Sequence, residues 1–165
     1  TPASITSFWA LDPMASDGKL EVEVEMKSSA DALWESIRES AKLFPKAMPE
    51  VFQSIEILQG DGKSVGSVRH IKFVKGTPVM SESTERIEAV DEASKKVSYS
   101  VVGGDLLKLY KSYKCHIGVS PNGAGCKLRW GCEFEKAKEG VELPHLIKDF
   151  AINTFHALDA YDQNA

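Results

Sequence analysis

Arg69 and Glu85 are the charged residues whose positions most suggest chemistry, because the strand pattern puts both on an apolar face. A turn centred near Thr77 sets Arg69 opposite Glu85, and a turn centred on Ala93 sets Glu85 opposite Val101. A carboxylate on an apolar face is costly unless it is paired, and an arginine is its natural partner. Two interpretations remain open. In the first, Glu85 either forms a purely structural ion pair or points to solvent. In the second, the pair is a polar anchor inside a ligand pocket.

Glu85 and His145 are also candidates for proton transfer. If Glu85 is desolvated and its bridge to Arg69 is weak, its pKa rises and the carboxyl becomes a possible proton shuttle. His145 lies at the start of a predicted C-terminal helix. Neither residue belongs to a set of nucleophile, base and orienting group, so the residues alone predict no catalytic machinery.

The histidines and cysteines lack the spacing of metal ligands. The four histidines are scattered, and three cysteines leave one unpaired in any scheme. Cys126 and Cys132 lie on one predicted strand, about 20 Å apart, which is too far for a disulfide. We expect three buried, unpaired thiols in a reducing compartment, and neither a metal nor a cofactor.

The glycine-rich segment 60–66 invites a nucleotide-binding interpretation, which its spacing does not support. The glycines follow the pattern GxGxxxG, and the segment joins two predicted strands. A phosphate cradle requires a helix N-terminus directly after the glycines. The segment is therefore predicted to be a hairpin loop.

A long hairpin and a long helix form the last third of the chain. Asn122-Gly123 is a strong two-residue turn signal, and it would pair Ile117 with Leu128 and Cys115 with Trp130. The apolar side of this hairpin alternates with charged residues that include Arg129. Leucine, isoleucine and phenylalanine then recur at spacings of three and four over residues 143–161, which predicts an amphipathic helix.

The remaining elements place these features in one α+β domain, predicted over residues 18–163. Strands are predicted over 20–27, 51–58, 65–74, 79–90, 96–102, 106–120 and 126–136, and two short helices over 30–41 and 43–49. The short connections between successive strands indicate an antiparallel meander. Residues 1–13 have no periodicity, and we interpret them as an added remnant or a variable arm.

Composition limits the classes of partner. The net charge of −4 offers no broad attraction to phosphate backbones, so nucleic acid is not an expected partner. No apolar run approaches the ~20 residues that span a bilayer, and no segment resembles a signal peptide. We therefore expect a cytoplasmic protein, and the polar outer faces of the predicted strands are compatible with a monomer.

Several segments resemble the birch-pollen-allergen superfamily of plants, which includes the class-10 pathogenesis-related proteins. The superfamily resemblance rests on ERIEAVD at 85–91, YSVVGG at 99–104, the glycine loop and the closing helix. Four further segments resemble sequence motifs of its major latex protein-like branch: LFPKA at 43–47, GDG at 60–62, WGCEFEK at 130–136 and PHLIKDF at 144–150. The resemblance implies a helix-grip (START-like) fold, in which a seven-stranded curved antiparallel sheet wraps around the C-terminal helix and two short helices support that helix.

The resemblance also implies a cavity that holds a hydrophobic or amphipathic plant molecule, such as a sterol, flavonoid, hormone or alkaloid-like compound, in a defence or stress response. The ligand-binding residues that it implies are Arg69, Ile71, Phe73, Glu85, Tyr99, Val101, Tyr113, Trp130, Leu143, Leu146, Ile147 and Phe150.

The alternative is a cofactor-free enzyme of plant specialised metabolism that uses the same cavity for condensation, isomerisation or elimination. Its candidate residues would be Glu85, His145 and Arg129. Family members that form a benzylisoquinoline scaffold use a lysine on the last strand, and the matching position here is Arg129, which stays protonated and cannot act as a base. The pairing scheme also puts Arg129 on the opposite face from Trp130, although a β-bulge could reverse that assignment. Ribonuclease activity is not favoured, because the charge is negative.

Overall fold

The computed structural model describes residues 17–76, 80–137 and 145–164. The predicted N-terminal remnant and Leu143 lie outside these ranges. Seven strands are present: β1 (Asp17–Met26), β2 (Phe52–Gln59), β3 (Val68–Phe73), β4 (Glu82–Asp91), β5 (Lys96–Gly104), β6 (Tyr110–Asn122) and β7 (Gly125–Lys136). The helices are α1 (Ala30–Arg38), α2 (Ser40–Ala47) and α3 (His145–Gln163), with a short 3-10 helix at Asp105–Lys108.

The strands form one antiparallel sheet in the order β1-β7-β6-β5-β4-β3-β2. Every consecutive pair from β2 to β7 is a hairpin neighbour, and β1 closes the other edge against β7. The inner face of this curved sheet carries the apolar core, and α3 packs against it with α1 and α2 beside it. The predicted α+β helix-grip architecture is confirmed.

The hairpin of β6 and β7 has the predicted faces but a different register. Ile117 pairs with Trp130 and Cys115 with Cys132, because the turn residues are Gly123-Ala124. The predicted turn at Asn122-Gly123 is therefore wrong, and each pair is displaced by two residues. A two-residue displacement leaves every side chain on its original face, which is why the inner face was still predicted correctly.

The register of β3, β4 and β5 brings the predicted charged pair together. Arg69 lies opposite Glu85, and Glu85 lies opposite Val101, as predicted. The predicted pairing of Ala89 with Val97 is wrong: a register shift after Ile87 puts Ala89 opposite Ser98. This irregularity falls on the far side of the charged pair and leaves the inner face there unchanged.

The strand predicted to start at residue 106 starts at Tyr110, because a 3-10 turn precedes it. Gly104 has φ +99°, a left-handed conformation that suits glycine. Asp105 then accepts hydrogen bonds from the backbone N–H groups of Ser81 (2.6 Å) and Glu82 (3.2 Å). The Ser81 hydroxyl also donates to this carboxylate, at 2.6 Å. This bond, together with the backbone bonds, lowers the pKa of Asp105 to about 2, and the carboxylate ties the start of β4 to the 3-10 helix.

The two short helices are divided differently from the prediction. Ser29 caps α1 through a hydrogen bond from the backbone N–H of Ala32, and α1 ends at Arg38. A second helix follows at once from Ser40, three residues before its predicted start. Beyond this corner the helices pack on different strands: α1 contacts β6 and β7, and α2 contacts β2.

The far end of α3 is fixed to the start of α1 by Asp159. Its carboxylate accepts bonds from the backbone N–H groups of Lys27 (3.0 Å) and Ser28 (2.8 Å) and from the Ser28 hydroxyl (2.6 Å). Partial burial opposes ionisation, but these bonds outweigh it, and the pKa of Asp159 is lowered. The helix is therefore held by directed bonds as well as by apolar packing.

Candidate functional site

An internal cavity of about 120 Å³ lies between the inner face of the sheet and the helices. Most of the predicted ligand-binding residues lie at its wall. They are Arg69, Ile71, Phe73, Glu85, Tyr99, Val101, Tyr113 and Trp130 from the sheet, and Ile147 and Phe150 from α3. Ligand binding by these side chains stays a prediction.

Leu146 and Arg129 do not line the cavity. Leu146 is 57% exposed, since the inward stripe of α3 runs through Ile147 and Ala151 and leaves Leu146 on the solvent flank. Arg129 projects from the outer face of β7 and pairs with Glu23 at 3.3 Å. The structure therefore contradicts the predicted place of Leu146 in the cavity wall, and it puts Arg129 on the outer face that the pairing scheme indicated. His145 starts α3, but its side chain, like Leu143, lies outside what the structure describes.

The sequence interpretation missed one end of the wall. Four residues of α1 and α2 line the cavity: Ile37, Arg38, Ser40 and Phe44. The other lining residues that the sequence interpretation did not name are Phe52, Ile55, Gly62, Met80, Ile87, Val97, Leu106, Cys115, Ile117, Ala151, Thr154 and Phe155. Alternation along β4 to β6 and the helical period of α3 could have identified several of these. No sequence signal showed that the corner between α1 and α2 would face the same space.

Arg69 and Glu85 form an ion pair within the cavity wall. Arg69 Nη2 lies 3.2 Å from Glu85 Oε1, and Arg69 Nη1 donates to the Ser40 hydroxyl. The two side chains are only 11% and 13% exposed. Burial raises the pKa of Glu85, and Arg69 opposes that rise without cancelling it. The interpretation in which Glu85 points to solvent is therefore wrong. The other two interpretations are compatible, because the ion pair itself lies in the cavity wall where a polar anchor was predicted.

Two further polar side chains on the wall are held in their neutral forms. Burial raises the pKa of Tyr99 and of Cys115 well above their ordinary values. Cys115 faces Cys132 across β6 and β7, and burial raises the pKa of Cys132 to about 12. All three cysteines are free and buried, as predicted. A neutral, buried thiol is a poor nucleophile, so these residues contribute surface rather than reactivity.

A cluster of aromatic rings forms part of the cavity wall. Phe150 packs edge-on against Phe73, with ring centroids 5.6 Å apart, and against Phe52 at 6.4 Å. Phe44 continues the cluster at 5.4 Å from Phe52. Because α3 and α2 each contribute a ring to this cluster, a movement of either helix would change the volume of the cavity.

The glycine-rich loop between β2 and β3 provides its own anion. Asp61 Oδ1 accepts from the backbone N–H groups of Lys63 (2.8 Å) and Ser64 (2.7 Å), and these bonds lower the pKa of Asp61. The N–H groups that would hold a phosphate in a nucleotide-binding loop are thus already used. The predicted hairpin loop is confirmed, and Gly62 contributes to the cavity wall.

The size of the cavity limits its guest in this conformation. An engineered cavity of about 150 Å³ in another protein binds benzene. A space of about 120 Å³ is therefore suited to roughly one ring, and a larger guest requires its walls to move.

Within the described ranges, no group of three histidine, cysteine or acidic side chains is arranged to hold a metal ion. No helix in those ranges is long and apolar enough to cross a membrane.

Three comparisons relate the chain to known plant proteins. It is 45% identical to MLP-like protein 423 of Arabidopsis thaliana over 148 residues, which cover 90% of this chain and 96% of that protein. The crystal structure of ginseng major latex-like protein 151 from Panax ginseng superposes with a TM-score of 0.82 at 27% identity and covers 90% of this chain and 99% of that one. The structure of norcoclaurine synthase from Thalictrum flavum has a TM-score of 0.72 at 26% identity, with coverage of 91% and 87%.

The family assignment rests on nearly the whole described fold. Residues 15–164 match the sequence profile of the pathogenesis-related protein Bet v 1 family. The similarity to MLP-like protein 423 extends over almost the full length of both chains. The chain therefore belongs to the Bet v 1 family, in its major latex protein-like branch.

Proposed function

We propose that this protein binds and carries a hydrophobic or amphipathic plant small molecule in its internal cavity. The observation that carries the proposal is the cavity itself, an apolar space that persists in the middle of an otherwise packed core. Protein interiors are normally close-packed, and ligand sites are typically concave spaces lined mostly by apolar side chains with a few polar groups, as this one is. Sterols, flavonoids, hormones and alkaloid-like molecules have the required apolar surface, once the walls move to admit them.

Membership of a pathogenesis-related family supports a role in defence or stress. Three free, buried cysteines fit a reducing compartment such as the cytoplasm. The outer face of the sheet carries exposed ion pairs, among them Arg86–Glu88 and Lys19–Glu133, which fits a monomer. Subcellular fractionation would test the proposed compartment, and analytical sedimentation would test the proposed monomer.

A catalytic use of the same cavity is the second candidate, because the wall contains one buried carboxyl group. Burial raises the pKa of Glu85, and the fold is shared with an enzyme, norcoclaurine synthase. Glu85 is nevertheless fixed by Arg69, and the cavity-lining thiol Cys115 stays neutral. If plant extract incubated with the protein gives new products, and Glu85→Gln abolishes them, the catalytic alternative replaces the carrier.

The carrier proposal is tested by narrowing the cavity from one strand. Val101 and Val102 are neighbours on β5: Val101 lines the cavity, whereas Val102 is 39% exposed on the outer face. Val101→Phe puts most of an aromatic ring into the space, and Val102→Phe puts the same ring into solvent. Calorimetric titration with p-xylene should show binding to the original protein and to Val102→Phe, and at least ~10-fold weaker binding to Val101→Phe.

Thermal unfolding without ligand separates uptake from folding. Val101→Phe fills existing space, so its Tm should stay close to that of Val102→Phe. If p-xylene and larger apolar probes bind none of the three proteins, the carrier proposal is wrong. Equal binding to both variants would show that any guest lies outside this cavity.

A further inference from the structure

The cavity wall holds charge only in neutralised form. Arg69 is paired with Glu85, as described above. The other charged side chain of the wall, Arg38, donates to Glu92 Oε1 at 2.9 Å and to the backbone carbonyl of Lys63 at 2.6 Å. Each guanidinium therefore already has an anionic partner, and the described wall offers no uncompensated charge to a guest.

The Arg69–Glu85 pair has one unused acceptor, the second oxygen of the carboxylate. Glu85 Oε1 takes the bond from Arg69, and no donor within the described ranges bonds the second oxygen, Oε2. Two of the five N–H groups of Arg69 bond Ser40 and Glu85, and its Nε is enclosed without a partner and inaccessible. The second N–H groups of Nη1 and Nη2 add donors but no acceptor. The carboxylate Oε2 is therefore the group of this pair that could accept a bond from a guest in the cavity.

A third charge at this place would be unpaired. An anionic guest would meet Glu85, and a cationic guest would meet Arg69, each in a low-dielectric space that weakly screens repulsion. A pure hydrocarbon would leave Glu85 Oε2 without a partner, which is unfavourable for a buried carboxylate. A neutral donor satisfies the oxygen and adds no charge.

We propose that the guest carries an uncharged hydroxyl group, as an alcohol or a phenol on an otherwise apolar skeleton, and that this hydroxyl donates to Glu85 Oε2. The inference rests on the proposed carrier function and adds the chemistry of the polar end of the guest. The ring or chain occupies the apolar part of the cavity, towards Phe150, and the hydroxyl lies at the Arg69–Glu85 pair.

The test uses four one-ring probes that share a methylphenyl skeleton: p-cresol, p-xylene, p-toluate and 4-methylbenzylammonium. Their affinities are measured by calorimetric titration at pH 7. We expect p-cresol to bind at least ~10-fold more tightly than p-xylene, because hydrogen bonds to charged groups are among the stronger ones. Both charged probes should bind more weakly than p-xylene.

Variants of Glu85 should change this order in a predictable way. Glu85→Gln leaves the Arg69 charge uncompensated, so p-toluate should become the preferred probe. Glu88→Gln is the matched control, because Glu88 pairs with Arg86 on the outer face of the same strand, and it should leave the order unchanged. If Glu85→Gln does not fold, the double variant Arg69→Leu/Glu85→Leu replaces it and should bind p-xylene and p-cresol about equally.

The outcomes separate this inference from the function on which it rests. If p-xylene binds as well as p-cresol in the original protein, or if p-cresol keeps its advantage over p-xylene in Arg69→Leu/Glu85→Leu, which has no acceptor at this place, the hydroxyl assignment is wrong and the carrier proposal stands. Absence of binding by every probe overturns both.

Discussion

Removing the ring of Phe150 should enlarge the cavity and shift its preference towards larger guests. Phe150 lines the cavity and makes edge contacts with Phe73 and Phe52 at 5.6 and 6.4 Å. Phe150 is only partly buried. Phe150→Ala joins the volume of the ring to the existing void without breaking a hydrogen bond of the side chain.

The stability cost can be estimated from the burial of the ring. Phe→Ala substitutions in cores cost about 3–5 kcal/mol, and the partial burial of Phe150 favours the lower end, about 3 kcal/mol. In a domain of this size each kcal/mol lowers Tm by about 2–4 °C, so Tm should fall by about 6–12 °C. The variant should therefore stay folded at 25 °C, where binding is measured.

Phe134→Ala is the matched control. Phe134 is fully enclosed between Tyr110 and Tyr113, with ring centroids at 5.6 and 6.3 Å, and it does not line the cavity. This substitution also deletes a core ring, and it should cost at least as much stability, about 4 kcal/mol. It should not change the guest that the cavity accepts.

The assay titrates both variants with p-xylene and with N-phenyl-1-naphthylamine, a neutral fluorescent probe of three rings. About 100 Å² of extra apolar guest surface buried in Phe150→Ala is worth about 2.5 kcal/mol before relaxation of the walls. We therefore expect at least ~10-fold tighter binding of the three-ring probe, with little change for p-xylene. Equal affinities of Phe150→Ala and Phe134→Ala for the large probe would refute the assignment of Phe150 as a wall that limits guest size.

Two further predictions concern the frame around the cavity. Asp159→Asn removes an acceptor from the bonds to Lys27 and Ser28 and should cost about 1–3 kcal/mol in urea unfolding at pH 7. The lowered pKa of Asp159 means that its stabilisation is present above the unfolded value of 3.8 and is lost as pH falls through the folded value, so a difference that persisted undiminished at pH 2 would contradict this account. Gly104→Ala should cost about 2 kcal/mol, because φ is +99° and the new Cβ would lie 2.5 Å from the carbonyl oxygen of Glu82. The control Gly103→Ala meets only the side chain of Thr84, at 3.2 Å, and a cost equal to that of Gly104→Ala would refute the backbone explanation.

The sequence predicted which side of the sheet each residue occupies because that property depends only on alternation. Trp130 and Tyr113 lie on the inner face, although the hairpin that carries them has a register two residues away from the predicted one. Burial tolerates a displacement of two residues, whereas a displacement of one would expose the whole apolar set. The alternation therefore predicts the face on which each side chain lies but not the register of the two strands. The turn signal at Asn122-Gly123 was too local to predict the register.

The pairing of Arg69 with Glu85 was predictable for a related reason. A charged residue on an apolar face requires a partner, and the opposite strand offered one at the facing position. The register shift near Ala89 had no such signal, since both alternatives put small or apolar residues there. Leu146 was misassigned because a helical period of three and four residues admits positions on the flank of the stripe, and only contact with the sheet separates Ile147 from Leu146.

The volume of the cavity could not have been predicted from the sequence, for a physical reason. The void is a small difference between the space enclosed by the elements and the volume of the side chains that fill it, so one rotamer of Phe150 changes it substantially. The Arg69–Glu85 pair is constrained much more strongly, because each buried charge would be costly alone. We therefore expect the protein to adjust to the size of a guest, whereas we expect the polarity of the wall to be fixed by its fold. If the cavity binds probes of a different size from those expected, only the predicted position of its walls is wrong. If a charged probe binds more tightly than p-cresol, the predicted electrostatics of the site itself are wrong.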